Sequence, residues 1–257
     1  MMTKIISLIN KSNSLLYTNG ILKVLLKDRF YKVGLGREGK ARILDEYKNY
    51  SLLEQKGFKS FLPQTELKIF PLVSVLNVET LQKSEKVTEH LKQVYEKFNE
   101  TSRLETLSDT IVPFLTNHFK SAEVTNVLKM ISGNKIKTGL IHGDFHAGNI
   151  MATADGFPKM IDLDLTSVSW SREFDLINIL VSQKILLMKV AWKKAFELSW
   201  NEESKLSDYD SLWSMKDSVE KRVLFYLYYL KRKTDEKESL ISTEHSQLLG
   251  ILNWGLK

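Results

Sequence analysis

Residues 138–166 constrain this chain more than any other stretch. They read T-G-L-I-H-G-D-F-H-A-G-N-I-M, a short turn, and then K-M-I-D-L-D-L-T. Carboxylates, histidines and an asparagine are packed between two apolar, β-rich runs, which predicts a strand, a polar loop, a hairpin and a second strand. Polar chemistry that dense against apolar flanks marks a site. Asp144 can accept a proton from an alcohol or hold that alcohol in line, while Asn149 and Asp162 offer hard oxygen ligands of the kind magnesium prefers. These are the parts needed for phosphoryl transfer.

The two runs are His142-Gly143-Asp144-Phe145-His146-Ala147-Gly148-Asn149 and Ile161-Asp162-Leu163-Asp164. They resemble the catalytic loop H-G-D-x-H-x-x-N and the metal motif I-D-x-(D/E) of the aminoglycoside phosphotransferase and choline kinase family. An accidental match to the five fixed loop residues is expected on the order of once in ten thousand chains. The resemblance implies an α+β, bilobal, protein-kinase-like fold, with a small β-rich N-lobe over residues 1–76 for nucleotide and a larger, mostly α-helical C-lobe over 77–257 for catalysis and acceptor binding. It implies magnesium-dependent transfer of the ATP γ-phosphate to a hydroxyl of a small molecule such as a sugar, amino alcohol, antibiotic or glycolipid intermediate. Asp144 would then be catalytic, and Asn149 and Asp162 the metal ligands. The choice of ATP over GTP stays open.

Short β-rich runs at 15–18, 21–26 and 30–35 predict the sheet of the small lobe, with Asn19-Gly20 as a hairpin turn and 27–29 as the next turn. Lys32 shares a face of the third strand with Phe30 and Gly34. A helix over 40–55 follows, whose stripe at 43, 46, 50 and 53 reads Ile, Glu, Tyr, Leu, so Glu46 interrupts an apolar face. A buried carboxylate needs a cation. In the resembled fold a third-strand lysine pairs with a glutamate of the next helix and reaches the nucleotide phosphates, which assigns those roles to Lys32 and Glu46. Residues 66–81 are β-rich and hold the expected hinge, at 72–77. One departure stands out: a glycine-rich phosphate loop belongs ahead of Lys32, yet only Asn19-Gly20 is there, and Gly34-Leu35-Gly36 lies beyond the lysine.

In the second half, apolar spacing predicts helices over 84–100, with Ser84 as N-cap, over 107–119 and over 122–131. Arg172-Glu173-Phe174-Asp175-Leu176 resembles the segment whose aspartate braces the catalytic loop, so Asp175 reads as structural. His142 reads as a second brace. His146 is divided between bracing and touching the transferred phosphate, and Asp164 between a second metal and a strand-end cap. Residues 176–200 and 219–232 predict further helices, with 223–230 apolar on every side and therefore buried. Lys231-Arg232-Lys233 reads as a solvated last turn or a contact for anionic lipid.

Composition closes off other chemistries. With no cysteine, disulfides, thiolate zinc sites and cysteine nucleophiles are excluded. No run approaches the roughly 20 apolar residues of a membrane span, so a soluble, cytoplasmic protein is expected. The net charge is +6 over 257 residues, and nothing calls for a nucleic-acid partner. Residues 20–70 carry 11 Lys or Arg against 6 Asp or Glu, a basic balance suited to nucleotide phosphates, to neutral or anionic acceptors, and to peripheral contact with an anionic surface. Two other readings compete. His142, Asp144 and His146 have the spacing of a metal-dependent hydrolase cluster, though that leaves Lys32 and Glu46 unexplained. A catalytically inactive nucleotide-binding protein would accommodate the absent glycine loop.

Overall fold

The computed structural model describes residues 14–18, 20–26, 29–109, 111–119, 121–201 and 218–235. Described residues within Met1–Val94 and Gly148–Thr166 pack as one unit, and those within Tyr95–Ala147 and Ser167–Lys257 as another.

In the first unit β1 (Ser14–Thr18), β2 (Ile21–Leu25), β3 (Arg29–Leu35), β4 (Thr65–Ile69) and β5 (Val73–Glu79) form an antiparallel sheet in the order β1-β2-β3-β5-β4. Strand alternation sorts its faces. Leu22, Val24, Val33 and Val73 are buried on one, with Tyr31, Leu35 and Val75 packed against them. Lys23, Lys32 and Gly34 lie on the other, against which α1 (Gly36–Leu53) packs through Ile43, Glu46, Tyr50 and Leu53. Gly34 permits that approach, because a Cβ there would stand 2.2 Å from the Gly39 carbonyl oxygen. The predicted stripe is the buried one, and the helix starts four residues earlier than expected, directly out of β3.

The boundary expected at 76/77 falls inside β5, which pairs with β3 on one side and β4 on the other. That double pairing also corrects the hinge placed at 72–77: from Val73 onward its peptide groups serve the sheet, and Glu79 still donates its N–H to the Gln64 carbonyl. The chain next forms β6 (Gln82–Lys83) and α2 (Val87–Glu100). Ser84 is not the N-cap. Its hydroxyl accepts the Lys86 N–H and bonds to His90 Nδ1 at 2.7 Å, closing the turn that precedes the helix. Later, β9 (Ile150–Ala152) and β10 (Pro158–Met160) join β6 in a second small sheet of the first unit.

The second unit contains a three-stranded sheet in the order β11-β8-β7, from β7 (Arg103–Thr106), β8 (Lys135–Ile141) and β11 (Ser167–Ser171). Around it come α3 (Ile111–His118), α4 (Ala122–Ile131), α5 (Glu173–Met188), α6 (Trp192–Asn201) and α7 (Ser218–Asp235). The single helix expected over 176–200 is broken at Lys189, whose φ of 52° ends α5 in the left-handed region. Residues 173–181 of α5 and 223–230 of α7 are buried without interruption. Phe196 of α6 stacks on Trp192 at 5.3 Å and on Tyr228 of α7 at 6.3 Å. A β-rich first part and a helical second part make up the expected α+β class, and no described helix is long and apolar enough to cross a membrane.

Candidate active site

The side chains singled out from the sequence fall into two groups, one in each unit. In the first unit Lys23 of β2 and Lys32 of β3 are cross-strand partners, so both ammoniums leave the same face. Lys32 is 3% exposed and donates to Glu46 Oε1 at 2.6 Å and to Asp162 Oδ1. Burial pulls the lysine down, but Glu46 and Asp162 outweigh it and raise its pKa from 10.5 to about 12. The strand and helix periodicities thus bring together the expected pair, and the chain adds Asp162 as a third member.

Asp162 gets there by a specific backbone route. Ile150 pairs with Met160 in the β9–β10 hairpin, and the Ile161 N–H reaches the Asn149 carbonyl at 3.1 Å. Asn149, 4% exposed, is therefore held opposite Ile161, the residue before Asp162, at the open end of the hairpin. Asp162 does not continue the strand as expected. It adopts φ 57° and ψ 58°, and a short helical turn, Leu163–Leu165, follows. Asn49 of α1 fixes that turn by donating to the Leu163 carbonyl at 2.7 Å. Burial raises the Asp162 carboxyl, yet Lys32 and Lys23 overcome this and bring its pKa down to about 2. Asp164 lies in the turn itself, where its charge acts on Glu46.

In the second unit the loop after β8 is held from below by the first turn of α5. Asp175, 1% exposed, accepts the His142 N–H at 2.8 Å on one carboxylate oxygen and the Gly143 N–H at 2.9 Å on the other. Gly143 has φ 86°, a conformation that favours glycine and turns the chain so that Asp144 follows the braced peptide. Phe145 is buried between Phe98 and His142. Asn178, one helical turn beyond Asp175, donates to Asp144 Oδ1 and to the Phe145 carbonyl, each at 3.2 Å. The Tyr228 hydroxyl donates in turn to Asn178 Oδ1 at 2.7 Å, which fixes the amide orientation. His146 Nε2 lies 3.5 Å from Asp144 Oδ2, and Arg232 Nη1 lies 3.9 Å from Oδ1. Burial raises the Asp144 carboxyl, but His146, His142 and Arg232 reverse this and hold it well below the usual carboxylate range. Asp175 moves the other way, pushed by burial up to about 7 against its two backbone donors.

The sequence reading gave no site role to Lys23, Asn178, Tyr228 or Arg232. Only two carried a usable signal: Asn178 follows Asp175 at the i+3 spacing of one helix face, and a hairpin centred at 27/28 sets Lys23 opposite Lys32. The basic triplet 231–233 is also corrected. Lys231 is 3% exposed and pairs with Asp235, Arg232 faces Asp144, and Lys233 lies over the Tyr229 ring, so the triplet forms no lipid-facing stripe. His142, Asp144 and His146 do not form the ligand cluster a hydrolase needs; among the described residues no three His, Asp or Glu side chains are grouped to hold an ion.

The fold is that of solved small-molecule kinases. A Haemophilus somnus protein assigned as a fructosamine-3-kinase superposes with a TM-score of 0.55 at 14% identity, over 93% of this chain and 90% of its own. Aminoglycoside phosphotransferase APH(3'')-Id from Streptomyces rimosus gives 0.51 at 13% identity, over 90% and 97%. An aminoglycoside-3'-phosphotransferase of type VIII gives 0.50 at 15%, over 84% and 93%. No protein-family model matches the sequence, and no curated protein matches it.

Proposed function

We propose that the chain is a magnesium-dependent phosphotransferase that moves the γ-phosphoryl group of ATP to a hydroxyl of a small molecule. The observation that carries this is Lys32, buried between Glu46 and Asp162. Buried ion pairs contribute little to stability compared with apolar packing, so this constellation is better explained by a ligand than by the core. The fold agrees, and the Streptomyces rimosus neighbour has been solved with ADP and streptomycin.

Asp162 and Asn149 would hold the magnesium ion. They fit it: both present oxygen, Asp162 is kept ionised with a pKa of about 2, and two protein ligands suit a cation that fills its shell with water and phosphate oxygens. When bound, such an ion neutralises charge on the phosphates. Lys32 holds the phosphates, with its aim fixed by Glu46. Asp144 takes the acceptor hydroxyl in the second unit. A carboxyl held far below neutrality is a weak base, so its contribution is chiefly orientation, which Asn178 makes rigid. Turnover requires that hydroxyl to meet the terminal phosphate.

Arg232 beside Asp144 bears on the acceptor. A fixed guanidinium there repels a polycation and favours a neutral or anionic alcohol. ATP as donor makes the cytoplasm the proposed location.

The test is ATP-dependent phosphorylation across a panel of sugars, amino alcohols and sugar phosphates. Asp144→Ala and Asp162→Ala are each expected to abolish turnover in folded protein. Undiminished transfer by both variants would sink the proposal.

A further inference from the structure

Resting on the phosphotransferase reading, we infer that Lys23 is a second phosphate-binding cation and stands in for a phosphate-covering glycine loop. Three observations meet on it. The first is placement: Lys23 and Lys32 are register partners on adjacent strands, and both ammoniums converge on Asp162, Lys23 at 3.1 and 3.4 Å from its two oxygens.

The second is how differently the two lysines are held. Lys32 is 3% exposed and locked by Glu46, whereas the Lys23 side chain is 26% exposed and, among the described residues, pairs with Asp162 alone. Once Asp162 turns to a cation, Lys32 keeps Glu46 and Lys23 keeps nothing. The charge balance follows. Lys32 and Glu46 cancel, so Lys23 supplies the surplus positive charge that a polyphosphate would meet on this face.

The third is the turn between β1 and β2. Thr18 pairs with Ile21, so two residues join the strands. Gly20 is committed to the start of α1: its carbonyl accepts the Leu35 N–H at 2.8 Å, and a Cβ on it would stand 3.1 Å from the Gly39 nitrogen. A two-residue connection, with Gly20 engaged in this way, offers fewer peptide N–H groups to phosphate than a glycine-rich loop, and a side chain of β2 makes up the difference.

The experiment titrates full-length protein with ATP, ADP and AMP in the presence of magnesium, without acceptor, and compares Lys23→Met and Lys23→Arg with wild type. Lys23→Met is expected to weaken ATP about tenfold or more, as loss of a charge-assisted contact does, and ADP or AMP progressively less. Lys23→Arg is expected to stay within about threefold of wild type on the same grounds. Lys23→Met binding ATP as tightly as wild type, or more tightly, reduces Lys23 to a latch on Asp162 and overturns the inference alone. Wild type that takes up none of the three overturns the phosphotransferase reading together with it.

Discussion

Replacing Asp162 by Asn tests the charge cluster with little disturbance to the backbone. Asp162 sits at φ 57° and ψ 58°, and Asn is among the few side chains that tolerate this region, so the substitution removes charge without adding strain. The carboxyl titrates at about 2 in the folded chain, against ~3.9 for an unfolded aspartate. At 1.36 kcal/mol per unit, that difference is worth roughly 2–3 kcal/mol at neutral pH. The side chain is 27% exposed, which argues against a larger figure, and Lys32 keeps Glu46, so the loss stays below the 3–5 kcal/mol typical of a stranded buried charge. For a chain of this size the midpoint of thermal unfolding should fall by about 4–8 °C.

The pH dependence fixes the sign. A depressed carboxyl contributes stability that is present above its unfolded pKa and is lost as pH falls toward its folded pKa. The gap between wild type and Asp162→Asn should therefore be constant from pH 7 to about 5 and close between about 4 and 2. Calorimetric unfolding across that range reads it directly. A variant as stable as wild type at pH 7, or a gap unchanged at pH 3, refutes the claim that the two lysines hold Asp162 ionised.

Three further outcomes are expected. Lys32→Met should be less stable than wild type below pH ~10.4, with the difference disappearing as pH rises toward 12, because a raised lysine stabilises only while it is charged; urea titrations at alkaline pH measure this. Asp175→Ala leaves the His142 and Gly143 N–H groups without their acceptor, at about 1–3 kcal/mol each, and should speed hydrogen exchange at those two amides more than elsewhere in the loop; equal protection in variant and wild type counts against the brace. Asn178→Ala should lower kcat roughly tenfold with KM for ATP unchanged, since it removes the amide hydrogen bond that positions the Asp144 carboxylate in one unit without touching Lys32 or Asp162 in the other; steady-state kinetics decides, and an unaltered kcat removes Asn178 from the positioning role.

Legibility followed sequence distance. The loop at 142–149 could be read because its groups are neighbours in the chain, and Lys32 with Glu46 because two periodicities fix which face each occupies. Both depend on local geometry alone. β7 and β11 were missed because they are short and polar and, among the described residues, pair only with β8, a choice that the tertiary fold makes and composition does not. Lys23 meets Asp162 across 139 positions, and Tyr228 meets Asn178 across 50, from inside a helix whose apolar sequence announces only burial. The chemistry of the reaction is thus written locally, and the groups that tune it arrive from far away. The motif also conceals a division. H-G-D-x-H-x-x-N reads as one block, yet the chain passes from one compact unit to the other between Ala147 and Gly148, which assigns Asp144 to the second unit and Asn149 to the first. Each carboxylate accordingly has its own partners, His146 and Arg232 for Asp144, Lys23 and Lys32 for Asp162. Removing Lys23 or Lys32 should therefore raise the pKa of Asp162, and removing Arg232 that of Asp144.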